Sequence, residues 1–465
     1  MAAYRMKVLW NAVSAGKGKS FFPQQLLSMK ARVLVVVGEW DRAEAIYREN
    51  LDMARLLGDR LQEAGACIDL GDLVELRSRY LEAMELAQRA EAIYKESDDL
   101  PGMEKACRLM SKVHLGWSDF PKALEMLERA LDLSKQSGND KRCAEILGNM
   151  GLAHYWMGNT EKAIFFAEEE RRTVEARNNP VALANAYHTI GRIHRENHDY
   201  EKAQPYLEKA LALYQASGDM RNIAMSLGSL GGMQYYKGLF PEALELFHRQ
   251  TDIAGKLGER YFQACAYGDM SSVYLEMGDY VQARRFAMLE MEAGLAIGDK
   301  ICVSDAHFHL GLIGMETGDY QEAEKQIDKA VEQGRQIESG RFLPDYLAAK
   351  AGFLYKRNKL KEAVETNRSA MAEAARFGRR DLLNAGRWQQ ALLDQARDPS
   401  AAEASLSSLE ADPESSDDTK AEAFFLLWRR TGRRDFRDKS LEAYRRLMAK
   451  RPKPLYERQI GVLED

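Results

Sequence analysis

Asp199-Tyr200-Glu201-Lys202-Ala203, followed by Tyr206-Leu207-Glu208-Lys209-Ala210-Leu211, places small and apolar residues at helical spacing, and the pattern returns every 40 residues. Outward from Ala203, alanine recurs at Ala43, Ala83, Ala123, Ala163, Ala243, Ala283, Ala323 and Ala363 without an insertion. Three residues before the alanine stands an aromatic ring in most copies: Trp40, Tyr80, Phe120, Tyr200, Phe240, Tyr280 and Tyr320. Twelve residues after each column of small residues (Gly71, Ser111, Gly151, Gly191, Gly231, Ser271, Gly311, Ala351) comes the alanine. Two columns of glycine complete the unit, one through Gly38, Gly158, Gly238, Gly278 and Gly318, the other through Gly58, Gly138, Gly218, Gly258, Gly298 and Gly378.

Each column has a physical reason. Glycine accepts the left-handed backbone that ends a helix, so two glycines per unit mean two helices and two turns. Small residues allow helices to cross closely, and the aromatic ring fills the wedge between units. One helix pair cannot bury its own apolar face, so the units must stack into a continuous solenoid.

Ile190-Gly191-x-x-His194 and the two blocks quoted first resemble the tetratricopeptide repeat, and the longer unit is similar to the extended-helix variety of kinesin light chains and bacterial signalling proteins. The resemblance runs from Gln24 to about Phe377 as nine units and implies an all-α, right-handed superhelical solenoid of antiparallel helix pairs. His198, Ser78 and Asn358 stand where a turn glycine is expected, and Asn367 interrupts an apolar column of the ninth unit, which predicts weaker packing at that end.

The predicted organisation is a partial repeat or cap over 1–23, nine units over 24–380, a last array helix over 381–397, an acidic serine-rich link over 398–420 and a helical hairpin over 421–465. Ala3 and Gly18 keep the phase backwards, so the chain reads as opening inside a unit, either as a piece of a longer protein or as a diverged cap. Composition predicts mobility for the link, apart from a short helix over 401–410. The hairpin resembles the closing element of tetratricopeptide sensor regions. Its arginines, among them Arg429, Arg430, Arg433 and Arg434, read as a solvated capping face or as a phosphate-binding patch.

A net charge of −5 over 465 residues speaks against whole-molecule attraction to nucleic acid. No apolar run is long enough to span a bilayer, and Arg5, Lys7 and Asn11 interrupt any signal-peptide core. Five scattered cysteines without a C-x-x-C pair read as free thiols of a reducing compartment, so a cytoplasmic location is expected.

No nucleotide-binding, zincin, hydrolase-elbow or kinase motif occurs, so neither catalysis nor a cofactor or metal is expected. Gly228-Ser-Leu-Gly231-Gly232 falls on a first helix and reads as close packing. His307 and His309 point about 200° apart on a helix, which is wrong for one ion. His114, His154 and His194 share a column that reads as helix packing, with a metal or pH-sensing row as the alternative.

In solenoids of this kind the first helix of each unit lines the concave side. The inward positions are then Lys105, Arg108 and Lys112, then Leu152, Tyr155 and Trp156, then Asn185, His188, Arg192 and Arg195, then Met225, Tyr235 and Tyr236. Later units contribute Asp305, Phe308, Leu312, Met315 and Glu316. Cations paired at i, i+4, such as Arg108 with Lys112 and His188 with Arg192, resemble a carboxylate clamp in part, since Leu152 stands where such clamps carry asparagine. The leading expectation is a protein-interaction scaffold or sensor array, the regulatory part of a larger bacterial signalling protein, that binds an acidic segment with apolar anchors. The alternatives are ordinary solvated charges, a nucleic-acid-binding helical repeat, or an assembly adaptor that binds by its convex face.

Overall fold

Two helices per repeat demand two chain reversals per repeat, and the backbone makes them in the left-handed region. The computed structural model describes residues 21–175, 179–197, 199–337, 342–397, 402, 406, 408–412, 416–450 and 453–464. Gly218 and Gly258 close their helices at φ 69° and 73°, and their N–H groups take up free carbonyls of the last turn. Ser78 and Asn358 reach φ 56° and 58° without being glycine; His198 lies outside the described residues. Helix starts are capped by carboxylates: Asp119, Asp199, Asp279 and Asp319 each accept the backbone N–H three residues on.

Among the described residues every element is an α-helix. The units run from Phe21–Val36 with Trp40–Leu57 to Leu343–Lys356 with Leu360–Arg376, as antiparallel pairs stacked into a right-handed superhelix. The alanine column is the seam of each pair: Ala43, Ala123, Ala203, Ala243, Ala283 and Ala323 have no exposed surface. The aromatic column packs forward onto the end of the next first helix. Tyr80 meets Trp117 at 6.5 Å between ring centres, Phe120 meets Trp156 at 6.0 Å, and Tyr200 meets Tyr236 at 6.5 Å. No helix among the described residues is long and apolar enough to cross a membrane.

Successive turns of the superhelix touch. A Cβ at Gly38 of the first unit would stand 2.9 Å from Cγ2 of Ile297 in the seventh, and one at Gly258 would stand 3.5 Å from Val37. Ile297 is buried in the same apolar cluster as Ala31, Leu34 and Trp40. Further along, a Cβ at Gly378 would lie 3.6 Å from the carbonyl oxygen of Trp156 in the fourth unit. The concave side is therefore the inner wall of a coil whose edges meet.

Beyond the ninth unit, the helix Arg380–Arg397 packs with Asp417–Thr431, and Arg434–Lys450 and Pro454–Glu464 follow. Asn367 is fully buried and spans this junction, its Nδ2 donating to the Gly386 carbonyl at 2.9 Å. The described residues of the 398–420 stretch contribute Leu406 and Leu409 to a core with Trp388, Phe424 and Leu427, an anchoring that the acidic composition does not reveal. The last helix and Lys453 before it reach back to the seventh and eighth units: Lys453 Nζ lies 2.6 Å from Glu276, and Arg458 donates to the Tyr280 hydroxyl at 3.2 Å and lies 3.7 Å from Glu316. The partial repeat read from Ala3 and Gly18 lies outside the described residues.

Ala243→Leu forces a larger side chain into a closed helix crossing and is expected to cost about 1–3 kcal/mol, measured by urea unfolding. An unchanged midpoint and slope would mean that the column does not mark a tight crossing.

Candidate functional site

The inner wall is built from first helices, and what it presents depends on which side chains the protein already satisfies. A cavity of about 680 Å³ opens at the first units. Lys105 and Arg108 line it, joined by Arg32 and Arg142, with Tyr47, Ile68 and Tyr94 as apolar wall and Asp69 and Asp72 as its carboxylates. Arg108 pairs with Glu104, Arg32 with Asp69 at 3.0 Å, and Arg142 with Glu145, whereas Lys105 is exposed and makes no ion pair among the described residues. Lys112 lies 2.7 Å from Asp72 with Glu75 nearby, and burial pushes the Glu75 carboxyl up to about 7.

The other sequence-predicted residues divide between rim and interior. Trp156 and Tyr236 pack on Phe120 and Tyr200, as wedge residues, and Tyr155 donates to the Glu196 carbonyl at 3.4 Å. Tyr235 packs at an angle against Phe240. Asn185 accepts from the Tyr214 hydroxyl at 2.6 Å. His188 is buried with Nε2 2.9 Å from Ser229 Oγ, and desolvation, with Arg192 and Arg195 adding repulsion, lowers its pKa to about 3, so it is neutral. Arg192 is half-buried; Arg195 pairs with Glu196 and donates to the Ser229 carbonyl at 3.5 Å. The cavity thus gathers Lys105 and Arg108 but not the aromatic pairs.

The later wall is acidic. Asp269 is open to solvent inside the coil yet hemmed in by protein, and desolvation raises it to about 7 despite Arg195. Asp305 also rises to about 7 by desolvation, and accepts from the Tyr346 hydroxyl at 2.5 Å. Phe308 packs on Tyr346, while Leu312, Met315 and Glu316 line a smaller cavity beside Leu455 and Arg458 of the last helix.

Between these carboxylates His309 Nε2 lies 3.1 Å from Ser272 Oγ, and its Nδ1 lies 2.8 Å from Glu290. This is the connectivity of a nucleophilic triad, but two conditions for acyl transfer fail. Ser272 sits inside the helix Arg260–Glu276, where neighbouring N–H groups are committed to helical bonds and cannot cradle an oxyanion. Desolvation works against a charged His309, yet Glu290, Asp305 and Asp269 outweigh it and raise its pKa, which favours imidazolium over a general base.

Sequence reasoning missed a polar layer beneath the wall. Gly148, Gly228 and Gly268 on first helices face Glu170, Gln250 and Glu290 on second helices. A Cβ at these glycines would stand 2.5, 2.8 and 2.5 Å from the opposing side-chain oxygen. In units where the second helix carries alanine instead, as at Ala130, Ala210 and Ala330, the first helix carries Arg108, His188 or Phe308. The legible signal was this exchange of size at a constant interval. Glu170 is buried, its Oε2 has no hydrogen-bond partner among the described residues, and desolvation raises its pKa to about 8.

The histidines pack. His307 Nδ1 lies 2.5 Å from Gln326 Oε1, on the other side of its helix from the partners of His309. His154 stacks on Phe166, His194 on Tyr206, and His114 sits edge-on to Trp117. Among the described residues no cluster has the make-up of a metal site.

Family models described as tetratricopeptide repeat match residues 142–216, 182–247 and 304–333. Residues 142–247 and 304–333 are thus similar to tetratricopeptide repeats, and the other units share their helix-pair geometry. Human tetratricopeptide repeat protein 29 is 23% identical over 150 residues, which span 32% of this chain and 32% of that protein. A Rap protein solved in complex with Competence and Sporulation Factor superposes with a TM-score of 0.53 at 14% identity, covering 77% of this chain and 99% of that one. A signal transduction ATPase with a tetratricopeptide repeat sensor, from Pyrococcus horikoshii, gives 0.47 at 19% identity, covering 70% of this chain and 52% of that one.

Glu170 holds its proton in the folded state and releases it near 4.5 when unfolded, so the stability it contributes is full below about 4.5 and is lost as pH rises towards about 8. Glu170→Gln should leave the melting temperature unchanged at pH 4.5 and raise it at pH 8.5, by on the order of 2–4 kcal/mol of stability. Equal effects at both pH values would show that Glu170 is not a buried neutral acid.

Proposed function

We propose that the chain is a protein-interaction scaffold that receives an acidic, apolar-anchored segment of a partner in the cavity at the first units. The observation that carries this reading is the convergence of Arg32, Lys105, Arg108 and Arg142 around about 680 Å³ of concave space whose own carboxylates are Asp69 and Asp72. A volume of this order suits a few side chains of a bound segment. Tyr47, Ile68 and Tyr94 supply area, and Lys105, exposed and without an ion pair among the described residues, supplies steering. That the Rap protein sharing this fold was solved with Competence and Sporulation Factor bound is consistent with a ligand-holding coil. In this reading the array is the partner-sensing, regulatory part of a larger signalling protein. Asp269 and Asp305, farther along the inner wall and outside this cavity, would repel a polyanion long enough to track the whole coil, which disfavours nucleic acid there.

Fluorescence anisotropy with labelled peptides alternating glutamate and leucine, and with lysine-for-glutamate counterparts, tests the reading. Lys105→Glu with Arg108→Glu should weaken the acidic peptides by on the order of 2–4 kcal/mol, because attraction becomes repulsion in a partly desolvated site. Lys361→Glu, at an exposed position of the ninth unit, should change little. Equal binding of the lysine peptides, or an equal loss in Lys361→Glu, would sink the assignment.

A further inference from the structure

The outer face of the second helices is polar in almost every unit. Where the seventh unit has Met288, others carry Glu168, Glu208 and Asp328; where it has Leu295, others carry Lys95, Lys135 and Arg335. The helix Tyr280–Ile297 breaks this rule three times, at Val281, Met288 and Leu295, which are 78%, 59% and 64% exposed. Seven-residue steps drift by only about 20°, so the three side chains form one straight stripe about 21 Å long. No packing requirement of the array accounts for Met288 and Leu295, because the eighth unit carries Asp328 and Arg335 there and the fourth Glu168 and Glu175; Val281, whose column holds Glu161, Glu201 and Lys361 but also Leu81, extends them into the stripe.

The charges beside the stripe identify what covers it. Arg285 and Glu292 are both exposed and lie on the same flank, one turn to either side of a point just past Met288. Among the described residues neither makes an ion pair; Arg285 only rests over the Phe286 ring and donates to Gln282 at 3.4 Å. Turning the helix end for end about that point leaves each residue on its own flank. With the centre near Met288 it places Met288 on Met288 and Val281 opposite Leu295, and brings Arg285 within one residue rise, about 1.5 Å along the axis, of Glu292. The pattern is complementary to its own antiparallel copy, the property that an isologous two-fold interface requires. The geometry points to a second copy of this chain as the occupant, docked antiparallel through Tyr280–Ile297 on the convex face.

A single helix pair of this length buries less than about 1,200 Å², so the dimer is weak, with a Kd on the order of 10–100 µM. Two-fold symmetry makes every substitution act twice. Sedimentation velocity on the full chain, from about 1 to about 200 µM, should show a monomer–dimer equilibrium across the range such a small interface reaches. Met288→Glu, which sets two like charges against each other on the axis, should abolish it. Arg285→Glu and Glu292→Arg should each weaken it roughly tenfold, since two attractions become two repulsions. The double variant should return to within about threefold of the parent, because both pairs are restored with signs exchanged. Circular dichroism should be unchanged throughout, as all three side chains are exposed. A monomer over the whole range, or a dimer indifferent to Met288→Glu, would overturn the proposal, and failure of the double variant to recover would overturn the antiparallel pairing.

Discussion

The close approach of the two helices in each unit, made at a fully buried alanine, is the constraint on which the rest depends. At Ala123, Ala203, Ala243, Ala283 and Ala323 the backbones are held at a separation that a larger side chain would change. Because the residue type and the interval are constant, every pair has nearly the same geometry, and small rotations between units add into a regular coil. Regularity over several units brings Gly38 against Ile297 and Gly378 against Trp156. A coil with a variable step would not meet its own edge.

The meeting of the edges governs the chemistry of the wall. Water inside the coil is confined, so Asp269, Asp305 and Glu75 are held up near neutral pH. Several inner cations are already matched, Lys112 by Asp72 and Arg108 by Glu104, and any ligand competes with those internal pairs. Lys105 differs in being exposed without an ion pair among the described residues. Such an arrangement yields selectivity more readily than raw affinity, because a ligand must compete with preformed ion pairs and gains only where its own charges match the positions left open.

Two departures from the repeat mark positions where packing is not the whole explanation. Beneath the wall, glycine opposite Glu170, Gln250 and Glu290 makes room for polar groups that an alanine-filled layer would exclude, and Glu170 bears the desolvation cost as a neutral acid. On the outside, Met288 and Leu295 stand where the eighth unit carries Asp328 and Arg335, and with Val281 they form an exposed apolar stripe. The first departure occurs in three units and the second in one.

The sequence by itself determined the helix pairs, their phase and their stacking, because a strict repeat of turn glycines and small residues admits one local structure. The resemblance, which implies that first helices line the concave side, let helical spacing select candidate inward positions, but it did not mark Asp69 and Asp72 among the cations of the early wall. The sequence did not reveal that Trp156 and Tyr236 would serve as wedges against Phe120 and Tyr200, or that Arg32 and Arg142 would join Lys105 and Arg108 around one cavity. Nor did it reveal that Leu406 and Leu409 would anchor an acidic stretch, or that Lys453 would return to Glu276. Those outcomes belong to the tertiary structure, because they depend on the accumulated rotation between units. No single repeat encodes that rotation, which fixes the residues from distant units that finally share one space.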